Sequence, residues 1–408
     1  MHYKFPHIQH LDEVRQAIAG APEFIVAERD WGFVVNYLVS GPDTFPTVHT
    51  AGGSAKMRAD ATRAKAIRRE CRGLIFDLNG NLISRPYHKF FNVNQIEETQ
   101  SHKIDLTRPH VILEKLDGSM VRPIPIDDVY RLGTKMGITD VSMQAEVWLV
   151  DHPNYHDFIQ LHIERGQTPI FEWCSRKQRI VIDYAVDRLV LTAIRDVNTG
   201  EYKRYDQMRT YANAYDIDIV RQYAGTAANM EALLAETASI ANQEGWIIRF
   251  DDGHMLKIKG DQYVLQHRAK DAILRENGVI EMILNDKIDD VVPLLTADDR
   301  VALDDFVTKF WSGVFVTASV WEHQFKIVKI THGDDRKSFA LATDTLTMDS
   351  NVKSAIFKAW DSSSFDWREA VTDTIAKNIG TQPKVDAIRK LFGNAKWNYN
   401  YIYQTAEG

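Results

Sequence analysis

Lys115 stands in EKLDGSM, residues Glu114 to Met120, one lysine between two acids with the apolar runs HVIL before it and VRPIPI after it. An amine is a covalent nucleophile only when uncharged, and a reference pKa of about 10.4 leaves roughly one lysine in two thousand neutral at pH 7. Burial or neighbouring cations lower that value. The stretch MLKIKG supplies cations: Lys257 and Lys259 are two residues apart, so on a strand they share a face. Turned toward Lys115, they would depress its amine and then hold a phosphate. Against this stands a plainer reading, in which Asp-Gly between apolar runs makes a hairpin turn and a strand lysine is an exposed edge charge.

The order of further motifs separates the two readings. ECRGLIFD, SRPYHKFFN, EKLDGS, IFEWCS, QEGWIIR and LKIKGDQYVLQH follow one another along the chain. This series resembles the covalent nucleotidyltransferases, the superfamily of polynucleotide ligases and capping enzymes. The flanking words ECRG, SRP, KFFN, QRIVIDY and DDRKSFA are similar to those of the RNA ligase 1 family of the T-even bacteriophages. K-x-D-G alone is common; six elements in sequence are far more specific.

The resemblance implies a role for each matched residue. Lys115 would attack the α-phosphorus of ATP and carry AMP, with Lys257 and Lys259 as the other catalytic groups, on the α-phosphate. Arg72 and Lys89 would hold the departing pyrophosphate, and Lys135 would be a further nucleotide contact. Glu172, an acid in an apolar strand, would bind the ribose hydroxyls, and Glu244 would bind the metal, magnesium or alternatively manganese. Gly118 would let the backbone lie close to the nucleotide, and Tyr37, Phe91 and Tyr263 match aromatics near it. As strand aromatics, these three fit a core better than a nucleotide contact. Two departures stand out: Gly133 occupies a position where the family carries a second lysine, and the segment from about Val48 to Arg69 is longer and more basic. Its cations Lys56, Arg58, Arg63, Lys65, Arg68 and Arg69 fit a solvated helix face as well as a contact with RNA.

Other chemistries find no support. His88, His254 and His267 show no H-E-x-x-H or Cys/His zinc spacing, and no G-x-x-x-x-G-K-[ST] loop is present. Cys71 and Cys174 are the two cysteines of the chain, too few for a disulfide framework, and pack as small apolar residues.

The elements that must position these residues are short β-rich runs through the first two-thirds of the chain, several joined by tight turns, with helices near Ser142 to Arg165 and Asn229 to Ala241. That mixture predicts an α+β fold with antiparallel sheets, opened by a short helix on Leu11, Val14, Ala17 and Ile18. After about residue 268 the pattern changes. Val307, Trp311, Val314, Ala318, Trp321, Phe325 and Val328 alternate steps of four and three, a long helix burying one stripe, with Thr296 and Asp299 as a capping box upstream. Two domains are expected: an adenylyltransferase domain over 1–268 and an all-helical one over 269–408, which the resemblance links to RNA and tRNA specificity.

With 408 residues, 44% apolar and 26% charged, the chain reads as globular, and its net charge of −7 argues against a surface basic all over. No apolar run approaches the roughly 18 residues needed to cross a bilayer, and the N-terminus lacks a secretory core. A cytosolic monomer is expected, in an infected host cell if phage-encoded. The implied activity joins 5′-phosphate and 3′-hydroxyl RNA ends, with broken tRNA anticodon loops as the partner. Two alternatives remain: a DNA ligase or other covalent nucleotidyltransferase, and an RNA-binding protein without the reaction. The first usually follows its K-x-K strand with a small β-barrel, whereas Gln266 onward is helical in pattern.

Overall fold

A computed structural model of the chain describes residues 4–38, 44–48, 55–177, 179–225, 227, 229–332, 335–345, 350–360, 362 and 364–399. It divides into two compact units, Met1–Val264 and Leu265–Gly408; the expected boundary lay at 268.

Unit 1 runs α1 (Leu11–Ala17), β1 (Phe24–Arg29), β2 (Gly32–Tyr37), α2 (Ala55–Glu70), β3 (Leu74–Phe76), β4 (Leu82–Ser84), β5 (Phe91–Asn92), β6 (His110–Lys115), β7 (Ser119–Ile126), β8 (Val129–Gly133), α3 (Asp140–Leu149), α4 (Pro153–Glu164), β9 (Gln167–Cys174), β10 (Arg188–Asp196), α5 (Tyr205–Ala214), α6 (Met230–Ala238), β11 (Gly245–Phe250) and β12 (Met255–Lys259). The strands form three four-stranded sheets in the orders β1-β2-β3-β4, β10-β9-β7-β8 and β5-β12-β11-β6. Every pairing is antiparallel except β5 with β12, which sets Phe91 against Leu256 and Asn92 against Lys257. The α+β class with antiparallel sheets is therefore the one expected.

The expected hairpin across Asp117-Gly118 is absent. β6 pairs with β11 and β7 pairs with β8 and β9, so the two strands flanking K-x-D-G lie in different sheets. The motif is the crossing from one sheet to the next, and this places Lys115 at the seam. The expected strand RIVIDY is also absent, because Val181 and Ile182 give their backbone N–H groups to the Asp117 carboxylate, each at 2.7 Å, and not to a neighbouring strand. Gln178, in the same motif, lies outside the described residues, as do Val39 and Ser40 at the end of the strand expected through Tyr37. The single helical stretch expected over 142–165 is two helices, divided where Pro153 opens α4.

Period-two alternation decides what each sheet face packs against. On β11, Trp246, Ile248 and Phe250 join Leu256 and Ile258 of β12 over Met230 and Leu233 of α6. The opposite face carries Gly245, Ile247 and Arg249 from β11, with Lys257 and Lys259 from β12. The sheet β10-β9-β7-β8 buries Val121, Phe171, Trp173 and Leu191 with Phe158 and Ile159 of α4 and Met208 of α5.

Unit 2 comprises α7 (Asp261–Ile273), whose first turn belongs to unit 1, then α8 (Glu276–Leu284), α9 (Ile288–Val291), α10 (Ala297–His332), α11 (Arg336–Thr345), α12 (Ser350–Trp360), α13 (Trp367–Ala376) and α14 (Gln382–Ile388), with no strand among its described residues. The long helix begins ten residues before the apolar stripe read from the sequence, directly after Thr296, whose hydroxyl accepts from Asp299 N at 3.3 Å and donates to its carboxylate at 2.7 Å. Val314, Ala318, Trp321 and Val328 are buried as expected, together with Leu303, Phe306 and Phe310. No helix among the described residues is long and apolar enough to cross a membrane.

Unit 1 is fastened near the start of ECRG by a charge network. Glu70 faces Arg195 at 2.8 Å and Arg85 at 3.2 Å, with both arginine side chains 0% exposed. Burial alone would raise the Glu70 carboxyl, but Arg195 and then Arg85 outweigh it and bring it down to about 2. A carboxyl whose folded pKa lies below its unfolded value stabilises the fold above the unfolded pKa, and that contribution drains away as pH falls toward the folded one. Unfolding by denaturant should therefore show stability falling between about pH 4.5 and about pH 2, with Glu70 a contributor. Glu70→Gln, which leaves two buried guanidinium groups short of their counter-charge, should cost about 3–5 kcal/mol at pH 7 and flatten that slope.

Candidate active site

The carboxylate of Glu244 stands between two ammonium groups: Lys115 Nζ lies 2.7 Å from Oε2 and Lys259 Nζ 2.9 Å from Oε1. The acid is 3% exposed, while the Lys115 and Lys259 side chains are 20% and 28% exposed, so the acid is the floor and the amines are the rim. Strand register builds this arrangement. Gly245 is paired with Lys115 on one side and with Lys259 on the other, which brings the residue just before it between both. Gly245 has φ +147°, and a Cβ there would lie 2.0 Å from the Ile258 carbonyl oxygen, so no larger residue lets β11 and β12 close.

The remaining motif residues converge on the same seam. Asp117, 3% exposed, takes Tyr263 Oη on Oδ1 at 2.6 Å in addition to the two backbone donors at Val181 and Ile182, and its own N–H donates to Tyr184 Oη at 2.9 Å. Burial, then Glu244 and Asp117, push the Tyr263 phenol far up, so it remains a donor. At Gly118 a Cβ would meet the Trp173 carbonyl oxygen of β9 at 2.4 Å, so the neighbouring strand by itself requires a glycine there. The tight approach is to the neighbouring strand. Glu172, adjacent on β9, has its carboxyl raised to about 7, by burial first, with Lys115 opposing and Glu244 adding to it.

Two ammonium groups are pushed down, Lys257 and Lys89. Burial and then Lys115, Arg72, Lys89 and Lys259 bring Lys257 to about 7. Lys115 contributes to that lowering while standing against the Glu244 carboxylate. Lys89 sits within 5.0, 5.1 and 5.5 Å of the Tyr37, Phe45 and Phe91 ring centroids, and burial is the main cause of its lowered pKa. Burial would raise the Tyr37 hydroxyl, but Lys89, Arg72 and Lys135 together pull it below its ordinary value. Lys135 Nζ is 5.5 Å from the Tyr37 ring, and Arg72 reaches Met120 Sδ at 3.7 Å. Tyr37, Arg72, Lys89 and Lys135 thus form one cationic cluster beside the Lys115 seam.

Two positioning groups escaped the sequence reading. Glu70 is one. The other is Arg122, 0% exposed, which donates to the carbonyl oxygens of Gly133, at 3.2 Å, and Gly73. It pairs with no acid among the described residues, and burial pulls it down to about 9. Its two bonds tie the backbone next to Arg72 to the backbone two residues before Lys135. They also bear on Gly133: a Cβ there would lie 2.3 Å from Ile124 Cδ1 and 2.9 Å from Arg122 Nη1, so a lysine would have to move the ends of both side chains. A charged residue in the middle of MVRPIPI was the available signal.

The basic segment before Arg72 is largely occupied with packing. Arg63 pairs with Glu13 at 2.5 Å, Arg68 donates to the Ala17 carbonyl oxygen at 2.8 Å, and Arg69 pairs with Glu98 at 2.5 Å. Residues 49–54 lie outside the described residues. In unit 2, Lys326 pairs with Glu322 at 2.6 Å and Lys329 lies 5.5 Å from both the Phe325 and Trp360 rings.

Among the described residues no three His, Cys, Asp or Glu side chains gather as metal ligands. Glu244 alone fits a divalent ion that completes its shell with water and phosphate oxygens, as magnesium does. Each of its oxygens accepts from one lysine and keeps a second lone pair for an ion.

A seam of this kind, with two rim lysines on one buried acid and further cations beside them, has the charge to hold a polyphosphate. Residues 70–265 match the family model described as RNA ligase, the family whose motifs the sequence resembles. The chain is 27% identical over 295 residues to a protein of Thermovibrio ammonificans named "Putative RNA ligase", covering 70% of this chain and 72% of that protein. Among solved structures it is similar to an archaeal ATP-dependent RNA ligase (14% identity, 64% of each chain, TM-score 0.41). It is also similar to a ligand-free mutant of a Naegleria gruberi RNA ligase (16% identity, TM-score 0.35), covering 45% of this chain and 58% of that one. The chain thus spans under two-thirds of the length of the Naegleria protein.

The electrostatics make a direct prediction. In the ligand-free protein carrying 13C-dimethylated lysines, one resonance, absent from Lys257→Arg, should titrate near about 7. Adding pyrophosphate should move the midpoint upward, because an anion favours the charged amine. A Lys257 midpoint near 10 without ligand would contradict the assignment.

Proposed function

We propose that the protein is an ATP-dependent RNA ligase that joins 5′-phosphate and 3′-hydroxyl RNA ends through AMP bound to Lys115 and then through an RNA-adenylate. The observation that carries this reading is the convergence of Lys115, Glu244 and Lys259, linked at 2.7 and 2.9 Å, with Lys257 and Glu172 on one seam.

In the first step Lys115 Nζ bonds to the α-phosphorus of ATP while the bond from that phosphorus to the β-phosphate oxygen breaks and pyrophosphate leaves. The amine must first give up its proton, and Glu244 Oε2, 2.7 Å away, is placed to receive it. Lys257 and Lys259 hold the α-phosphate oxygens as negative charge builds on them. Arg72 and Lys89 hold the departing pyrophosphate, with Lys135 beside Tyr37, and Glu172 holds the ribose hydroxyls. Glu244 would hold magnesium or manganese, and the ion would supply further positive charge toward the phosphates. The AMP then passes to an RNA 5′-phosphate, and a 3′-hydroxyl attacks that activated phosphate, sealing the strand and releasing AMP. Alignment and charge cancellation do most of this work, which suits a site of lysines and arginine.

The helical unit 2 is assigned the choice of RNA, and the task is repair of tRNA broken in its anticodon loop. An all-helical unit after β12 favours an RNA ligase over a ligase that continues as a β-barrel.

Incubation with α-32P-ATP and magnesium should label the protein through an acid-labile, alkali-stable bond. Lys115→Ala should remove the label entirely while keeping the fold. The labelled protein should then circularise a 5′-phosphorylated single-stranded RNA in preference to sealing nicked DNA. Full labelling of Lys115→Ala would overturn the reading, and preference for nicked DNA would transfer it to the DNA ligases.

A further inference from the structure

Behind Lys115 a small cavity of about 40 Å³ continues between the two sheets, lined by Lys115 and Glu172 at one end and by Tyr87, Thr192, Met255 and Arg249 further in. Arg249 is the anomaly there. It is 4% exposed, its Nη1 reaches Met208 Sδ at 3.4 Å, and its Nη2 is buried with no hydrogen-bond partner. Among the described residues no acid forms an ion pair with it, and burial pulls its pKa down. A guanidinium left in this condition costs the fold stability, since nothing in the protein replaces the water it gave up.

Register fixes where this group sits relative to the nucleophile. Gly245 is paired with Lys115 and Arg249 with Val111, four residues along the same strand pair, about 13 Å at the usual strand rise. Both Arg249 and Lys115 face the seam and not the α6 side of the sheet. Lys115, Glu172 and Arg249 line the same cavity, so a nucleotide with its α-phosphorus at Lys115 and its ribose at Glu172 can turn its base toward Arg249. The cavity is too small for a whole purine and admits the edge of a planar ring. An arginine is a donor only, so what it selects is a hydrogen-bond acceptor.

We propose that Arg249 is a specificity-determining residue of the nucleotide site, its Nη2 donating to an acceptor atom on the edge of the purine base of the bound triphosphate. This rests on the reading of Lys115 as the nucleotide-bearing residue. The orphan donor is satisfied only when the base is in place, so folding bears a cost that binding recovers.

The test is the initial rate of label transfer to the protein from ATP, GTP and the 1-, 3- and 7-deaza analogues of ATP, with Arg249→Met and the unaltered protein side by side. Arg249→Met should raise the KM for the preferred triphosphate on the order of 10- to 100-fold, the loss of one hydrogen bond to a charged donor, with kcat within a few-fold. One deaza analogue should show the same loss in the unaltered protein and no further loss in the variant. If no ATP analogue does so and GTP is preferred, the acceptor is guanine O6. Because the variant removes a buried unpaired charge, it should melt at the same temperature or higher. That combination separates binding from a structural role. An unchanged KM in Arg249→Met, or a lower melting temperature with no analogue distinguished from ATP by the unaltered protein, would overturn the assignment while leaving Lys115 labelling intact. If no triphosphate labels Lys115 at all, both proposals fall. The deaza series on the unaltered protein decides the contact even if the variant does not fold.

Discussion

One carboxylate shared between two lysines organises unit 1. Glu244 is nearly inaccessible to water, and an ionised acid in such a place is tolerated only with counter-charges at hydrogen-bond distance. Lys115 and Lys259 provide them, at 2.7 and 2.9 Å. Because Lys115 ends β6 and Lys259 ends β12, the bridge pins together the two strands flanking β11 at the end of the sheet where K-x-D-G departs. The glycine after Glu244 is what permits the strands to approach that closely.

Around this bridge the structure gathers cations that repel one another. Lys257, Arg72 and Lys89 all act on the same volume, and burial first, with that repulsion added, lowers the pKa of Lys257 and of Lys89. Other parts of the unit hold them in place: aromatic rings about Lys89, Arg122 between the backbones beside Arg72 and Lys135, and the Glu70 network at the end of α2. Such an array is at odds with itself until a polyanion enters, when the same repulsion becomes binding strength. The charges are assembled before any anion arrives, which is the pre-organisation that the proposed binding of phosphates calls for.

Much of this was legible in the residues. Strand alternation put Lys257 and Lys259 on one face, and the helical stripe of α10 was readable from Val314 to Val328 because a 3.6 period is local. The hairpin was misread for the same reason in reverse: Asp-Gly has strong turn character, but which strands pair is decided by register with β11 and β9, segments about 50 to 130 residues away. The missing RIVIDY strand follows from one distant acid, Asp117, taking its N–H groups. The positioning role of Arg122 depends on two carbonyl oxygens from different strands, and no spacing within one segment encodes that. The explanation of Gly133 likewise needed its cross-strand neighbour.

The most direct test is a crystal structure of the protein with a non-hydrolysable ATP analogue and a divalent cation. The account places the α-phosphorus within bonding approach of Lys115 Nζ, the phosphate oxygens against Lys257 and Lys259, and the cation on Glu244. An analogue bound elsewhere, with the Lys115–Glu244 bridge undisturbed and no phosphate in the seam, would contradict it.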